Sequence, residues 1–264
     1  MATSQDEELR DGSQPVNRPV WRRGRTYLAG VVICAVVALV VVVLSLRKTG
    51  RVTTCNSRLR FLALACSGYE AKYGTFPPAY IADSKGRPMH SWRVLILPYL
   101  NRNDLYSQYN FDEPWDGPQN IKLLDKMPGL YACPSCAPDS AGAAIHPRAA
   151  STRFTNYAAV LGPRCVFRGE APVARSAITD DAMQTLIIGE VTDAKIPWTK
   201  PEDIDIGKHT RLGDRLGFSS KHSGRLNFAT AAGGTKCLDT KTPQKTVDAL
   251  FTRNGRETIT GLDH

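Results

Sequence analysis

One pair of cysteines in the middle of the chain has a spacing that is associated with chemistry. Cys133-Pro134-Ser135-Cys136 is a CxxC sequence, which occurs in thiol redox pairs and as half of zinc sites. A zinc site built this way needs a second ligand pair, such as another CxxC, and the sequence contains none. A redox pair needs its first cysteine at a helix N-terminus, which the sequence does not establish. We therefore favour a structural disulfide or free thiols in a turn.

Six cysteines lie outside the long apolar run near the N-terminus. They are Cys55, Cys66, Cys133, Cys136, Cys165 and Cys237. Outside the cytoplasm an even number of cysteines permits up to three disulfides in many connectivities, and their spacing does not choose among them. Our hypothesis is a disulfide between Cys133 and Cys136 together with one link between more distant cysteines.

The histidines do not form a recognisable catalytic or metal-binding motif. They are His90, His146, His209, His222 and His264. The sequence has no HExxH, and it also lacks the phosphate-binding, dinucleotide-binding and nucleophile-elbow motifs of common enzymes. We predict a protein that is not an enzyme and has no cofactor, and we keep a hydrolase or thiol-redox enzyme as a less favoured alternative. His222 is interpreted as a loop residue that is hydrogen-bonded to backbone.

Acidic and aromatic residues in the loops allow a binding role. Asp180-Asp181 and Glu202-Asp203-Ile204-Asp205 could offer oxygens to Ca²⁺, but neither has EF-hand spacing, so solvated acidic loops are the simpler interpretation. Trp115-Asp116 and Trp198 lie in proline-rich loops, where they could line a sugar or peptide groove. We favour a packing role for both tryptophans. The alternative function is an extracytoplasmic module that binds a sugar, a peptide or Ca²⁺.

An apolar run precedes all of these residues and must position the domain that carries them. Residues 27–46 contain no charge over 20 positions. As a helix at about 1.5 Å per residue, they span roughly 30 Å of hydrocarbon. The run is longer than a signal-peptide core, and no small-x-small cleavage site follows it. We therefore predict an uncleaved, single-pass transmembrane helix.

The chain is accordingly divided into three parts. We predict a disordered cytoplasmic tail at 1–26, the transmembrane helix at 27–46 and a folded domain at 47–264. Basic residues are slightly more numerous before the helix, which places the domain outside the inner (cytoplasmic) membrane. Of the net charge of +9, residues 1–51 carry +4 beside the lipid bilayer. The domain has no dense Lys/Arg block, so nucleic acid is not an expected partner.

The pattern of the domain predicts a loop-rich α+β fold. An apolar stripe at helical spacing runs from 52 to 74 and ends at Gly74, before two prolines. We expect the membrane helix to continue into this amphipathic helix, which then packs on a small antiparallel sheet. Short strands are predicted at 130–134, 154–161, 185–191, 225–230 and 235–238, the last two joined at Gly233-Gly234. Short helices are predicted within 101–109, 120–126 and 246–253, with an irregular surface excursion over 194–217.

A series of short motifs follows in order through residues 51–250. It includes Cys55-Asn56, Tyr73-Gly74-Thr75-Phe76-Pro77-Pro78, His90-Ser91-Trp92-Arg93, Trp115-Asp116, Tyr131-Ala132-Cys133-Pro134-Ser135, Thr155-Asn156-Tyr157, Gly189-Glu190-Val191 and Trp198-Thr199. In this order the motifs resemble the DUF1559 family of planctomycete membrane proteins, which look like relatives of type IV pilins and pseudopilins. The resemblance implies a pilin-like build, a place in the cell envelope and a structural or protein-interaction role. Other pilin-like or secretion-system proteins would be the partners.

Two positions depart from the family pattern. Family members often have a prepilin peptidase site, Gly followed by Phe-Thr-Leu-Val-Glu, whereas Gly24 here is followed by Arg-Thr-Tyr-Leu-Ala. The Glu thought to pair subunits during assembly is missing, so cleavage and fibre assembly are not carried over to this chain. The family also often has His, nine residues, then Asp-Gly. Here nine residues also follow His222, but the next two are Ala232 and Gly233, so the acidic residue is absent.

Overall fold

A computed structural model describes residues 20–136, 153–209, 211–222, 224–257 and 259. The chain forms two compact units, Met1–Thr49 and Gly50–His264. Most of the predicted tail at 1–26 lies outside the described residues, as do His146 and His264.

The described part of the first unit belongs to helix α1 (Val20–Tyr73). By length and composition, the segment Gly30–Tyr73 can cross a membrane, with a mean hydropathy of 2.8 in its most apolar window and none of that window buried. A signal sequence near an N-terminus passes the same test. Two hydroxyl groups at the end of the apolar run are bonded within the helix: Ser45 Oγ donates to the Val41 carbonyl at 2.9 Å, and Thr49 Oγ1 donates to the Ser45 carbonyl at 3.1 Å. This bonding lowers the cost of placing a serine in an apolar surrounding.

The second unit begins with the remaining turns of α1, which are amphipathic as predicted. Leu59, Leu62 and Cys66 of the apolar stripe are fully buried. The helix ends at Tyr73, where Gly74 takes a φ of +77° and donates its N–H to the Glu70 carbonyl at 2.8 Å. A glycine in this left-handed conformation is a common helix stop, so the predicted end of the helix is confirmed.

A small hairpin and several short helices follow α1. The hairpin pairs β1 (Tyr80–Ala82) with β2 (Pro88–Ser91), and the helices are α2 (Trp92–Leu95) and α3 (Asn103–Tyr106). Further 3₁₀ helices occupy Leu97–Leu100, Asn120–Lys126, Gly129–Tyr131 and Arg175–Ala177. The predicted strand at 130–134 is wrong. Tyr131 closes a 3₁₀ turn by donating its N–H to the Pro128 carbonyl, and its side chain is fully buried.

A five-stranded sheet organises the rest of the unit, in the order β5-β3-β4-β6-β7. All pairs are antiparallel except for a short parallel pair between β3 and β5. The strands and the last helix are β3 (Tyr157–Leu161), β4 (Leu186–Glu190), β5 (Ile204–Asp205), β6 (Arg225–Thr230), β7 (Thr235–Asp239) and α4 (Gln244–Phe251). The predicted α+β class is confirmed, as is the hairpin around Gly233-Gly234.

The two faces of the sheet bury two different cores. Along β3, Tyr157 and Ala159 join the core that contains Leu59 and Leu62 of α1, while Ala158 and Val160 join the core that contains α4. Alternate side chains of a strand point to opposite faces, so both faces of β3 are covered. The predicted surface excursion at 194–217 is wrong in part, because it supplies β5 and the buried side chains of Ile196 and Trp198.

Candidate functional site

Four side chains with metal-binding or redox-active atoms meet in the interior of the second unit. Cys55 lies on α1, Cys133 follows a 3₁₀ helix, Glu190 ends β4, and His222 lies in the loop before β6. Their ligand atoms all lie within 4.8 Å of one another. We call these four residues the Cys–Glu–His cluster.

Cys55 and Cys133 form a disulfide with a Cα–Cα distance of 5.7 Å, which is normal for such a bond. The predicted Cys133–Cys136 pair is therefore wrong, and Cys136 is a free thiol. The CxxC backbone folds into a turn, in which Cys136 donates its N–H to the Cys133 carbonyl at 3.0 Å. Within that turn the buried Cys133 side chain meets the fully buried Cys55 of α1.

Glu190 has one satisfied and one unsatisfied carboxylate oxygen. Asn227, on the neighbouring strand β6, donates its backbone N–H to Glu190 Oε2 at 2.9 Å and its side-chain amide to the same atom at 3.2 Å. Glu190 Oε1 is buried without a hydrogen-bond partner. A buried carboxylate oxygen in that condition is costly, so Oε1 is an atom that a further bound group would stabilise.

His222 supplies the atom that faces this oxygen. Its Nε2 lies 3.4 Å from Glu190 Oε1, is also buried, and makes no hydrogen bond of acceptable geometry. The backbone of His222 is bonded to the loop, through its N–H to Ser220 Oγ at 3.1 Å and its carbonyl to Arg225 N at 2.8 Å. The predicted loop position is therefore correct, while the ring is directed at Glu190.

Tyr157 and Arg58 are electrostatic neighbours of the cluster. The Tyr157 hydroxyl is buried without a hydrogen-bond partner, and burial raises its pKa, with the Glu190 charge adding to the rise and Arg58 opposing it. Arg58 donates through Nη1 to the Ala132 carbonyl, next to Cys133. Burial lowers the pKa of Arg58.

Cys136 is poorly suited to attack the disulfide. Burial raises the pKa of its thiol to about 11, helped by the charges of Glu190 and Asp193 and opposed by Lys221. The thiolate is the nucleophile in disulfide exchange, and little of it exists near neutral pH at such a value. The arrangement therefore does not favour a CxxC redox centre.

Trp198 serves packing, in agreement with the favoured interpretation. Trp198 is fully buried, stacks on Tyr131 with 5.9 Å between ring centroids, and donates Nε1–H to the Leu123 carbonyl at 3.2 Å. Trp115 is half-buried, with Lys200 Nζ 5.9 Å from its ring centroid, and Asp116 is exposed. Because Trp198 offers no face to solvent, the two tryptophans do not form a shared surface groove.

Gly233 and the acidic residues have structural roles. Gly233 turns the chain between β6 and β7 with a φ of +84°, and a Cβ there would lie 3.2 Å from Leu64 Cδ2. Asp180 accepts N–H groups of Gly255 and Arg256 at 2.7 and 2.8 Å. Asp203 is buried beside Arg93, so the interpretation of residues 202–205 as a solvated loop is wrong at that position.

Glu190 and Cys55 were not singled out from the sequence as site residues. Glu190 is the one charge in the strand-like stretch Thr185–Val191, and a carboxylate in a strand with both faces covered is a signal for a buried polar site. Cys55 was one of the six disulfide candidates, and a link between distant cysteines was predicted, but the sequence did not identify Cys133, 78 residues away, as its partner.

These features define a class of protein: an α+β domain that follows a long apolar helix and encloses a buried Cys–Glu–His cluster. The sequence profile of the family described as "Protein of unknown function (DUF1559)" matches residues 45–211. The chain belongs to this family, and the resemblance drawn from its motifs is confirmed. No curated protein and no solved structure matches the chain. The matched range includes Cys55, Cys133 and Glu190, whereas His222 lies beyond it.

Proposed function

We propose that this protein is a single-pass envelope protein of the cytoplasmic membrane, which displays the domain after Thr49 outside the cytoplasm. It acts as a pilin-like structural or protein-binding subunit and not as an enzyme. The observation that carries the proposal is the exposure of every described residue from Gly30 to Leu46. All sides of this apolar stretch are exposed among the described residues, and a helix that is apolar all round needs lipid or other helices around it.

The disulfide supports the orientation. Cys55 and Cys133 are joined, and structural disulfides persist in oxidising compartments and are rare in the cytosol. The basic residues before the apolar run favour the same orientation, with the domain outside.

A protein-binding role is supported by the outward side of α1 beyond the apolar run. Phe61 and Leu64 are 55% and 48% exposed there, although the opposite side of the same turns is fully buried. Large apolar side chains exposed on one helix face are typical of a contact surface. In the pilin-like arrangement that we propose, this face contacts a neighbouring membrane-anchored protein.

Membrane anchoring and sidedness are tested on the full-length protein in a bacterial host. We expect it to sediment with membranes, to resist extraction by alkaline carbonate and to be released by detergent. In a Cys34→Ser/Cys136→Ser background, a membrane-impermeant maleimide should label the exposed Cys237 in spheroplasts without lysis. Addition of Cys237→Ser is the control. Recovery in the soluble fraction, or labelling only after lysis, contradicts the proposal.

The interaction role is tested by photocrosslinking from α1. A photoreactive amino acid at position 61 or 64 should give discrete adducts with another membrane-anchored protein, or with a second copy of this chain. Position 183 is the matched control, because Met183 is 69% exposed but lies outside α1. Adducts that are equally frequent at position 183, or absent from all three positions, contradict a contact through this helix face.

A further inference from the structure

We propose that the Cys–Glu–His cluster is a redox-gated Zn²⁺ site. It is closed while Cys55 and Cys133 are joined, and it becomes a four-ligand site when a dithiol reductant cleaves their bond. The ligands would be the two sulfurs, Glu190 Oε1 and His222 Nε2.

The spacing of the oxygen and nitrogen ligands fits a tetrahedral ion. With Zn–N and Zn–O bonds of about 2.0–2.1 Å, two ligands of a tetrahedron lie roughly 3.4 Å apart. Glu190 Oε1 and His222 Nε2 are 3.4 Å apart. The four ligand atoms fall within 4.8 Å of one another, so small side-chain movements suffice to place them around one centre.

The two atoms without hydrogen-bond partners could be satisfied by the same ligand. Glu190 Oε1 and His222 Nε2 are buried, face one another and lack hydrogen-bond partners. A bound cation would satisfy both atoms at once. Asn227 already holds Glu190 Oε2 through two donors, which leaves Oε1 directed at the site and gives Asn227 the role of a positioning residue.

The disulfide acts as the gate because of the chemical state of its sulfurs. Zn²⁺ binds cysteine as the thiolate, and neither sulfur is a thiolate while the two are joined. Cleavage by a dithiol transfers two electrons and two protons. The Cys55–Cys133 bond breaks, two thiols form, and the reductant becomes a disulfide. Zn²⁺ then binds both sulfurs as thiolates, and their two protons pass to solvent.

The donor set selects the class of ion. Two thiolates, one imidazole and one carboxylate suit Zn²⁺, whereas Ca²⁺ and Mg²⁺ require six or more oxygens or waters. The zinc interpretation of the CxxC failed for lack of a second ligand pair near it in sequence. In the folded chain, ligands from α1, β4 and the loop before β6 take that place, and Cys136 is not among them.

The test uses full-length protein in detergent, oxidised or reduced with a dithiol, with Co²⁺ as a spectroscopic substitute for Zn²⁺. Reduced protein should bind one equivalent of Co²⁺, with thiolate charge-transfer absorption and the visible bands of a tetrahedral ion. Oxidised protein should bind none. His222→Gln and Glu190→Gln should each weaken binding at least about tenfold. Cys136→Ser and Cys237→Ser are matched controls that should bind as wild type does.

A stability measurement covers the case in which reduction loosens the fold. Zn²⁺ should raise the Tm of the reduced protein and a chelator should reverse the rise, while the Tm of the oxidised protein should not respond. The proposal is overturned if the reduced protein binds no Co²⁺ and gains no Tm with Zn²⁺. It is also overturned if His222→Gln binds as wild type does, or if Cys136→Ser abolishes binding while Cys55→Ser retains it. None of these results bears on membrane anchoring.

Discussion

Arg93 and Asp203 form an ion pair in the interior of the domain, with 2.6 Å between Nη2 and Oδ1. The Asp203 carboxylate also accepts from Trp92 Nε1 at 3.1 Å and from the Ala159 backbone N–H at 2.7 Å. Arg93 in turn donates to the Tyr157 carbonyl at 3.0 Å. One carboxylate therefore joins α2, β3 and the segment that leads into β5.

Removal of this carboxylate should strongly destabilise the domain. In Asp203→Ala, the buried Arg93 charge and three N–H donors lose their acceptor, and loss of one partner of a buried pair costs about 3–5 kcal/mol. The free energy of unfolding is measured by urea titration, with tryptophan fluorescence as the signal. Asp125→Ala removes the exposed partner of Arg153 and should change little. Equal effects of the two substitutions would contradict the structural role of Asp203.

The disulfide connectivity gives a prediction that peptide mapping resolves. Trypsin releases Cys55 in peptide 52–58 and both Cys133 and Cys136 in peptide 127–148. Without reductant, the two peptides should be recovered as one linked species that carries a single alkylated thiol, that of Cys136. Recovery of peptide 52–58 alone, alkylated at Cys55, would support the Cys133–Cys136 pair instead.

Loss of this disulfide should also destabilise the domain. Cys55→Ser should lower the free energy of unfolding by about 2–5 kcal/mol, because the bond closes a long loop.

Features encoded by neighbouring residues could be predicted from the sequence. The end of α1 follows from Gly74 and the prolines after it, and the β6–β7 hairpin follows from Gly233-Gly234 between two alternating runs. Each depends on conformational preferences that act within a few residues. The same local reasoning failed at 130–134. The apolar residues there have the pattern of a strand, but Tyr131 is buried from a 3₁₀ turn.

The candidate site depends on contacts that sequence spacing does not encode. Cys55 meets Cys133 across 78 residues, and His222 meets Glu190 only because β6 pairs with β4. A CxxC suggests a local pair by proximity alone, whereas the folded chain offers Cys133 a buried partner on α1. Pairings of this kind follow from which elements pack together, so the sequence supports several of them equally.

Acid should weaken the fold through His90. Burial lowers the pKa of this histidine below its ordinary value of 6.5, and Nδ1 lies 3.0 Å from the Tyr109 hydroxyl. The unfolded chain therefore binds a proton more readily, so the stability from neutral His90 is present above about pH 6.5 and is lost as the pH falls towards the folded pKa. His90→Gln should flatten the pH dependence of the free energy of unfolding between about pH 7 and pH 5. A slope equal to that of the wild-type protein would contradict this role of His90.

Gly189 should tolerate a side chain poorly, because two aromatic rings occupy the place of its Cβ. A Cβ at this position would lie 2.6 Å from Phe218 Cδ1 and would also meet the ring of Phe228. Those rings pack edge to face on one another with 5.1 Å between centroids, so neither can move away without loss of its own contacts. Gly189→Ala should lower the free energy of unfolding by about 1–3 kcal/mol, as overpacking does in other cores. Gly129→Ala, where a Cβ meets no atom within 4 Å, is the matched control.

Gly189→Ala should also affect the Cys–Glu–His cluster, because Gly189 precedes Glu190. The substitution should displace the Glu190 carboxylate and weaken Co²⁺ binding by the reduced protein. Unchanged Co²⁺ binding would show that the two positions are independent.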